Sequence, residues 1–171
     1  MKNERHLISL LAIAVTTMAG TSAMAQAAPT GGAQSAGLEE IVVTAQKRAE
    51  NVQDVPIAVT AFTSKTLTEK SVNAVQGLAN LTPNVSLDAG SPFSGSSSVL
   101  TAYVRGIGQD DFAFNLDPGV GVYVDGVYLA RTVGANTDLL DVERIEVLKG
   151  PQGTLFGRNS LGGAISIGTR D

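Results

Sequence analysis

The sequence predicts a small α+β domain with a mixed β-sheet, short helices and long loops. Three observations carry that expectation. Short β-favouring runs and helical periods follow one another as strand, two helices, then several strands, an order that suits a two-layer α+β sandwich. Asp125-Gly126 joins two apolar runs, the strongest short-range hairpin signal in a sequence. The stretch 149–163, KGPQGTLFGRNSLGG, puts five glycines in fifteen residues ahead of a last strand, which suggests a tight loop lying close to other backbone.

The chain opens on a secretory leader, residues 1–25. Lys2 and Arg5, with His6, form a basic start, Leu7 to Met18 is apolar, and Ala23-Met24-Ala25 sets small residues for cleavage before Gln26. The apolar stretch falls short of the about 20 residues that span a bilayer, so it reads as a leader rather than an anchor. Residues 26–51 read as a flexible linker. Its first part, QAAPTGGAQSAG, has no large side chain to bury and cannot offset the entropy of ordering. Residues 38–45, LEEIVVTA, favour a β-strand, and 46–51 are polar again. That strand has no evident hairpin partner nearby, so it is either a strand of the domain or a peptide that adds to another protein's sheet edge.

The folded domain is expected from Val52 to Asp171. Val55 to Phe62 reads as a strand with Pro56 near its start, and Thr63 or Ser64 caps a short helix through Lys70. Val72, Val75, Leu78 and Leu81 mark a second helix that Pro83 stops. A short strand at Val85 to Leu87 leads to a Gly/Ser-rich stretch, 90–98, expected as a mobile loop. Val99 to Ile107 reads as one strand, 109–118 as an acidic loop with two phenylalanines, and Val120 to Val124 with Val127 to Leu129 as the hairpin. Thr137 to Val142 is a short helix candidate; Arg144 to Leu148 and Ala164 to Ile167 are the last strands.

Composition narrows the chemistry. The one histidine, His6, lies in the leader and there is no cysteine, so Ser-His-Asp, Cys-His and His/Cys zinc sites are all excluded from the processed chain. No enzyme, metal or cofactor is expected. The net charge of −4 becomes one unit more negative once Lys2, Glu4 and Arg5 leave, which argues against nucleic acid. No phosphate-binding glycine motif fits: Asp111 stands where a third glycine should follow Gly106 and Gly108, and Gly157 precedes Arg158-Asn159 rather than Lys-Ser. Ser160 lacks the glycine two residues before it that a nucleophile elbow requires. Most of the acidic residues between Asp110 and Glu146 sit beside loops and turns, where Asp serves local hydrogen bonding.

Several segments together carry a family resemblance: 39–45 EEIVVTA, 54–59 DVPIAV, 78–85 LANLTPNV, 104–107 VRGI, 122–127 VYVDGV, 142–157 VERIEVLKGPQGTLFG and 159–165 NSLGGAI. In this order they resemble the N-terminal part of a TonB-dependent outer-membrane receptor, that is, signal peptide, linker with TonB box, and plug domain. The resemblance implies that Glu40, Ile41, Val42, Val43, Thr44 and Ala45 pair as an added strand with the periplasmic domain of TonB. It implies that Arg105 and Arg158 contact glutamates of the barrel wall, the alternative being an internal ion pair with Glu143 or Glu146. Loops near 91–98 and 109–117 would face substrate, with Gln109, Asp110, Phe112 and Phe114 as candidates, although both rings can equally pack back on the domain. Implied ligands are ferric siderophores, cobalamin or carbohydrates. Full receptors of the family continue into a barrel of about 22 strands, whose strands alone need roughly 220 residues at about 10 per strand. The chain is therefore expected to be a fragment or truncated product, or else a plug made separately. Its expected role is gating and TonB coupling in the outer membrane; the alternative is a free-standing periplasmic protein that binds ligand or competes for TonB.

Overall fold

The computed structural model describes residues 41–91 and 95–170. The leader, the linker up to Glu40 and part of the Gly/Ser-rich stretch fall outside the described residues. Among those described, three sheets form. The central one runs in the order β3-β9-β10-β7-β8, from β3 (Ala58–Thr63), β7 (Val120–Val124), β8 (Val127–Leu129), β9 (Val142–Lys149) and β10 (Gly163–Thr169). β9 is antiparallel to both β3 and β10, while β10 runs parallel to β7, so the sheet is mixed as expected. A second, antiparallel sheet holds β4 (Val85–Ala89), β5 (Leu100–Val104) and β6 (Ile107–Gln109). A two-stranded sheet pairs β1 (Val42–Val43) with β2 (Glu50–Asn51).

The central sheet is covered on both faces, and four successive residues of β9, Ile145 to Leu148, are accordingly all buried even though one of them is an acid. Alternation along β9 sends Ile145 and Val147 to one face, where they meet Phe62, Leu67, Leu78, Val122 and Ile165 together with Leu87, Leu100 and Val104 of the second sheet. Leu148 points to the other face, into a smaller cluster with Val43, Ala45, Tyr123, Phe156 and Ala164. The main core thus lies between the two larger sheets and the helices, and the β1–β2 hairpin roofs the opposite face.

Local chemistry explains most elements. Thr63 is extended and its hydroxyl accepts from the Thr66 N–H at 3.3 Å, which starts helix α1 (Ser64–Glu69). The next helical element, Val75–Leu81, is a 3₁₀ helix, and its apolar period of three is the period of that helix rather than of an α-helix. A second short helix, α2 (Gly153–Phe156), lies inside the Gly-rich loop. Gly163 opens β10 in a place where a Cβ would run into the Leu148 carbonyl, so a bare backbone is required there.

Four expectations are corrected. Residues 99–107 do not form one strand: Arg105 and Gly106, at φ 53° and 80°, make a tight turn between β5 and β6, the positive-φ pair that a two-residue hairpin demands. Thr137 to Val142 is not helical, because the segment runs beside 73–75: Leu139 N–H donates to Asn73 O at 2.9 Å, and Asp138 bridges Ala74. The segment's backbone groups are spent on this pairing instead of on a helix. The strand near residue 42 does have a local partner, since Val42 lies opposite Asn51 and Val43 opposite Glu50. The polar stretch 46–51 is therefore a hairpin connection and its return strand. A flexible linker extending to Asn51 does not fit Ile41–Asn51, and a boundary at Val52 cuts behind a hairpin that packs on the domain.

Candidate partner-binding site

Residues Ile41–Ala45 sit at the periphery, outside both larger sheets. Glu40 lies outside the described residues. Val43 and Ala45 are fully buried against Tyr123, Leu148, Phe156 and Ala164, whereas Val42 faces outward with 48% of its surface exposed. Three contacts hold the segment down. Val52 N–H donates to Ile41 O at 2.9 Å within the hairpin. The Thr44 N–H donates to Glu146 Oε1 at 2.6 Å, and the Thr44 hydroxyl reaches the same oxygen at 3.1 Å. Lys47, in the left-handed region at φ 61°, sets its ammonium 4.3 Å from the Phe156 ring centroid and 5.5 Å from that of Tyr123.

The aromatic floor under Lys47 is itself fixed. The Tyr123 hydroxyl donates to Phe156 O at 2.6 Å, and the two rings meet edge to face at 5.0 Å. Burial, and then the neighbouring Tyr128, push the Tyr123 phenol above its ordinary value, so the group stays a neutral donor. Glu146 projects from β9 toward the hairpin and is 1% exposed; Arg144 Nε lies 3.3 Å from its Oε1.

Arg105 is exposed at its turn and makes no ion pair among the described residues. Its guanidinium lies close enough to Gly150 to crowd any Cβ placed there. Beside it stands Lys149, half-buried at the end of β9, whose ammonium is held below its ordinary value by burial and then by Arg105. Arg158 is also exposed and unpaired among the described residues. The internal pair considered for these arginines does not form, because Glu143 and Glu146 both contact Arg144 instead.

The candidate substrate-facing residues lie at the end of β6 and in the segment that follows it. Gln109 ends β6 opposite Ala102, and Asp110 lines a depression of about 370 Å³ with Asp88 and Thr101. Asp110 also hydrogen-bonds Tyr103, which raises that phenol's pKa. Phe112 is half-buried, while Phe114 is 89% exposed, with the Arg131 guanidinium 5.0 Å above its ring and donating to its carbonyl at 2.9 Å.

The model of the TonB-dependent Receptor Plug Domain family matches residues 51–164. The chain belongs to that family. The plug is 32% identical over 131 residues to the pesticin receptor of Yersinia pestis, covering 76% of this chain and 18% of that one. It is 30% identical over 169 residues to the hemin receptor of Yersinia enterocolitica, covering 94% and 22%. The crystal structure of the ferric yersiniabactin uptake receptor FyuA from Yersinia pestis superposes with a TM-score of 0.57 at 31% identity, over 67% of this chain and 17% of that one. The chain thus spans less than a quarter of the length of these relatives.

Within the plug, sequence reasoning missed two residues that the structure brings forward. Glu146 entered only as a candidate ion-pair partner of Arg105 or Arg158; the hairpin that roofs it was invisible, and an acid between Ile145 and Val147 was the signal to weigh. Lys149 read as the start of a glycine loop, and only the turn at Arg105–Gly106 folds Arg105 back beside it. Chemically, the plug offers a short peripheral strand held by replaceable contacts and a basic pair that lacks an acidic partner among the described residues.

Proposed function

We propose that this chain is the gating and TonB-coupling plug of an exported outer-membrane receptor, non-enzymatic, in which Ile41–Ala45 is the strand that pairs with the periplasmic domain of TonB. The observation that carries the reading is the placement of that segment. It is a two-residue strand at the edge of the molecule, with Val42 outward and only Val43 and Ala45 buried. Burying one valine contributes about 1.5–3 kcal/mol, and a hydrogen bond to a charged group about 1.5–3 kcal/mol. A docked state held by a few terms of that size can open without unfolding the main core, which lies on the opposite face of the central sheet.

Arg105 with Lys149 supports a seat inside a barrel over a free-standing periplasmic protein. Two neighbouring cations, one half-buried, are stabilised by a carboxylate brought from outside, which suits an acidic wall. Arg158 is a second exposed contact for such a wall. The ligand belongs to the scarce-nutrient class, siderophore-type chelates foremost, taken up past the loops that carry Gln109, Asp110, Phe112 and Phe114. The test is Val42→Pro. Proline removes an N–H and fixes φ where an added strand must pair. A pull-down with the TonB periplasmic domain is expected to lose the variant while its circular dichroism melt stays within a few degrees of the parent; undiminished capture would overturn the reading.

A further inference from the structure

We infer that Glu146 is an intramolecular cap on the outer edge of β1, its carboxylate occupying the Thr44 N–H, one of the backbone donors an added strand uses, so that full partner pairing requires displacement of this side chain. The inference rests on the reading of Ile41–Ala45 as a partner-pairing strand and names what regulates it.

The geometry starts from hairpin alternation. Val52 N–H donates to Ile41 O, so Ile41 and Val43 direct their backbone groups toward β2, while the N–H groups of Val42 and Thr44 lie on the free edge; the Thr44 carbonyl is taken by the Lys47 N–H at 2.8 Å in the turn. A free edge is the template for strand addition. Here its Thr44 N–H is already taken by Glu146 Oε1, from a strand 102 residues further along the chain. Open space adjoins this part of the hairpin: Val42 is 48% exposed, and a groove of about 430 Å³ is bounded by Val42, Thr44 and Ala49 of the hairpin and by Thr63, Glu143 and Arg144. An incoming strand has room beside β1 and meets the Val42 N–H, but finds the Thr44 N–H capped.

The cap is also a poor choice if packing alone were served. Glu146 is 1% exposed, and its second oxygen, Oε2, is buried without a hydrogen-bond partner. A buried acceptor left unmade is a cost, and an apolar side chain between the cross-strand neighbours Ala61 and Ser166 would carry none. What the carboxylate provides is an exchangeable bond. Arg144, 3.3 Å away, can keep Glu146 Oε1 when Thr44 turns to a new acceptor, so release leaves the acid with a partner.

The experiment titrates the full chain calorimetrically with the purified periplasmic domain of TonB. Glu146→Ala is expected to bind at least tenfold more tightly than the parent, with Glu146→Gln, which keeps a neutral acceptor, in between. Adding Val42→Pro to Glu146→Ala is expected to abolish binding. Ile167→Val, in the core on the opposite face, controls for general loosening and is expected to leave the affinity unchanged. Equal affinities for parent and Glu146→Ala, with Val42→Pro still abolishing binding, would overturn the cap and leave the partner reading standing. Tighter binding by Ile167→Val as well would also overturn the cap. Absence of binding by every variant, or binding indifferent to Val42→Pro, would overturn the partner reading and the cap with it. Should Glu146→Ala fail to fold, hydrogen exchange on Glu146→Gln decides. The Thr44 amide is expected to exchange at least threefold faster while those of Ile145 and Val147 hold, and an unchanged Thr44 rate would overturn the cap.

Discussion

The molecule has two short hairpins that look alike on paper and are held in opposite ways. β7–β8 closes through Asp125 and Gly126, at φ 49° and 79°, the pair a two-residue turn requires. Its first strand is embedded in the central sheet beside β10. β1–β2 closes through the longer connection 44–49, in which a lysine rather than a glycine takes the left-handed conformation. It stands as its own two-stranded sheet and relies on contacts with distant residues, Glu146 and Phe156. One hairpin is made by its turn and the other by its dock. A turn cannot be switched off by a partner, whereas a dock can, and the docked hairpin is the one that carries the candidate TonB segment.

The largest effect is expected where the contrast vanishes. Ile145 lies at the centre of β9, fully buried, paired to β3 on one side and β10 on the other. Ile145→Ala removes core volume beneath everything both hairpins lean on and is expected to cost about 2–5 kcal/mol, lowering the melting temperature by roughly 10 °C or more. Exchange of the Val43 and Val127 amides should then rise together. If Val43 alone responded, the two hairpins would not share this support.

A smaller change sharpens the contrast. Lys47→Ala deletes the cation over Phe156 and Tyr123 and touches no part of β7–β8. A cation–π contact of this exposure contributes about 0.5–1 kcal/mol, which corresponds to a two- to fivefold rise in opening. Exchange of the Val43 amide is expected to increase by that factor with the Val127 amide unchanged. An unaltered Val43 rate would mean that the aromatic floor does not hold the dock.

The same division explains what was legible in the sequence. Features decided by neighbours along the chain could be read: the Asp125-Gly126 turn, the Thr63 cap, and the period of three from Val72 to Leu81, whose 3₁₀ meaning is already in its spacing. Features decided by distant residues could not. β2 is two polar residues, Glu50 and Asn51, with no pattern of their own; they are strand because β1 is pinned from β9. Glu146 is buried because that hairpin covers it, so misreading the hairpin also misplaced the acid. Thr137 to Val142 lost its expected helix to pairing with 73–75, again a partner more than sixty residues away. Among the candidate site residues, Ile41–Ala45 were found from resemblance rather than periodicity, and Lys149 was overlooked because its neighbour Arg105 arrives through a turn read as strand.

The smallest expected effect belongs to the turn-made hairpin and depends on pH. Asp125 accepts from the Thr169 N–H and the Thr169 hydroxyl, both at 2.8 Å, which ties the β7–β8 turn to the end of β10. These two hydrogen bonds, with Arg144 adding a minor contribution, hold the carboxyl below its ordinary range. The folded form therefore prefers the ionised acid. Its contribution is present above the ordinary carboxylate pKa of about 4 and is lost as pH falls through the depressed folded value. Asn at this position keeps the left-handed turn and one acceptor but cannot titrate. Asp125→Asn is expected to melt close to the parent at pH 7 and to lose less stability between pH 5 and pH 2.5, read from melting temperatures across that range. The β1–β2 dock should show no matching change in Val43 exchange, because Asp125 holds Thr169 at the end of β10 rather than the dock. An identical acid slope in parent and variant would mean that the Thr169 tie does not hold the turn, leaving its stability to the backbone of Asp125 and Gly126 alone.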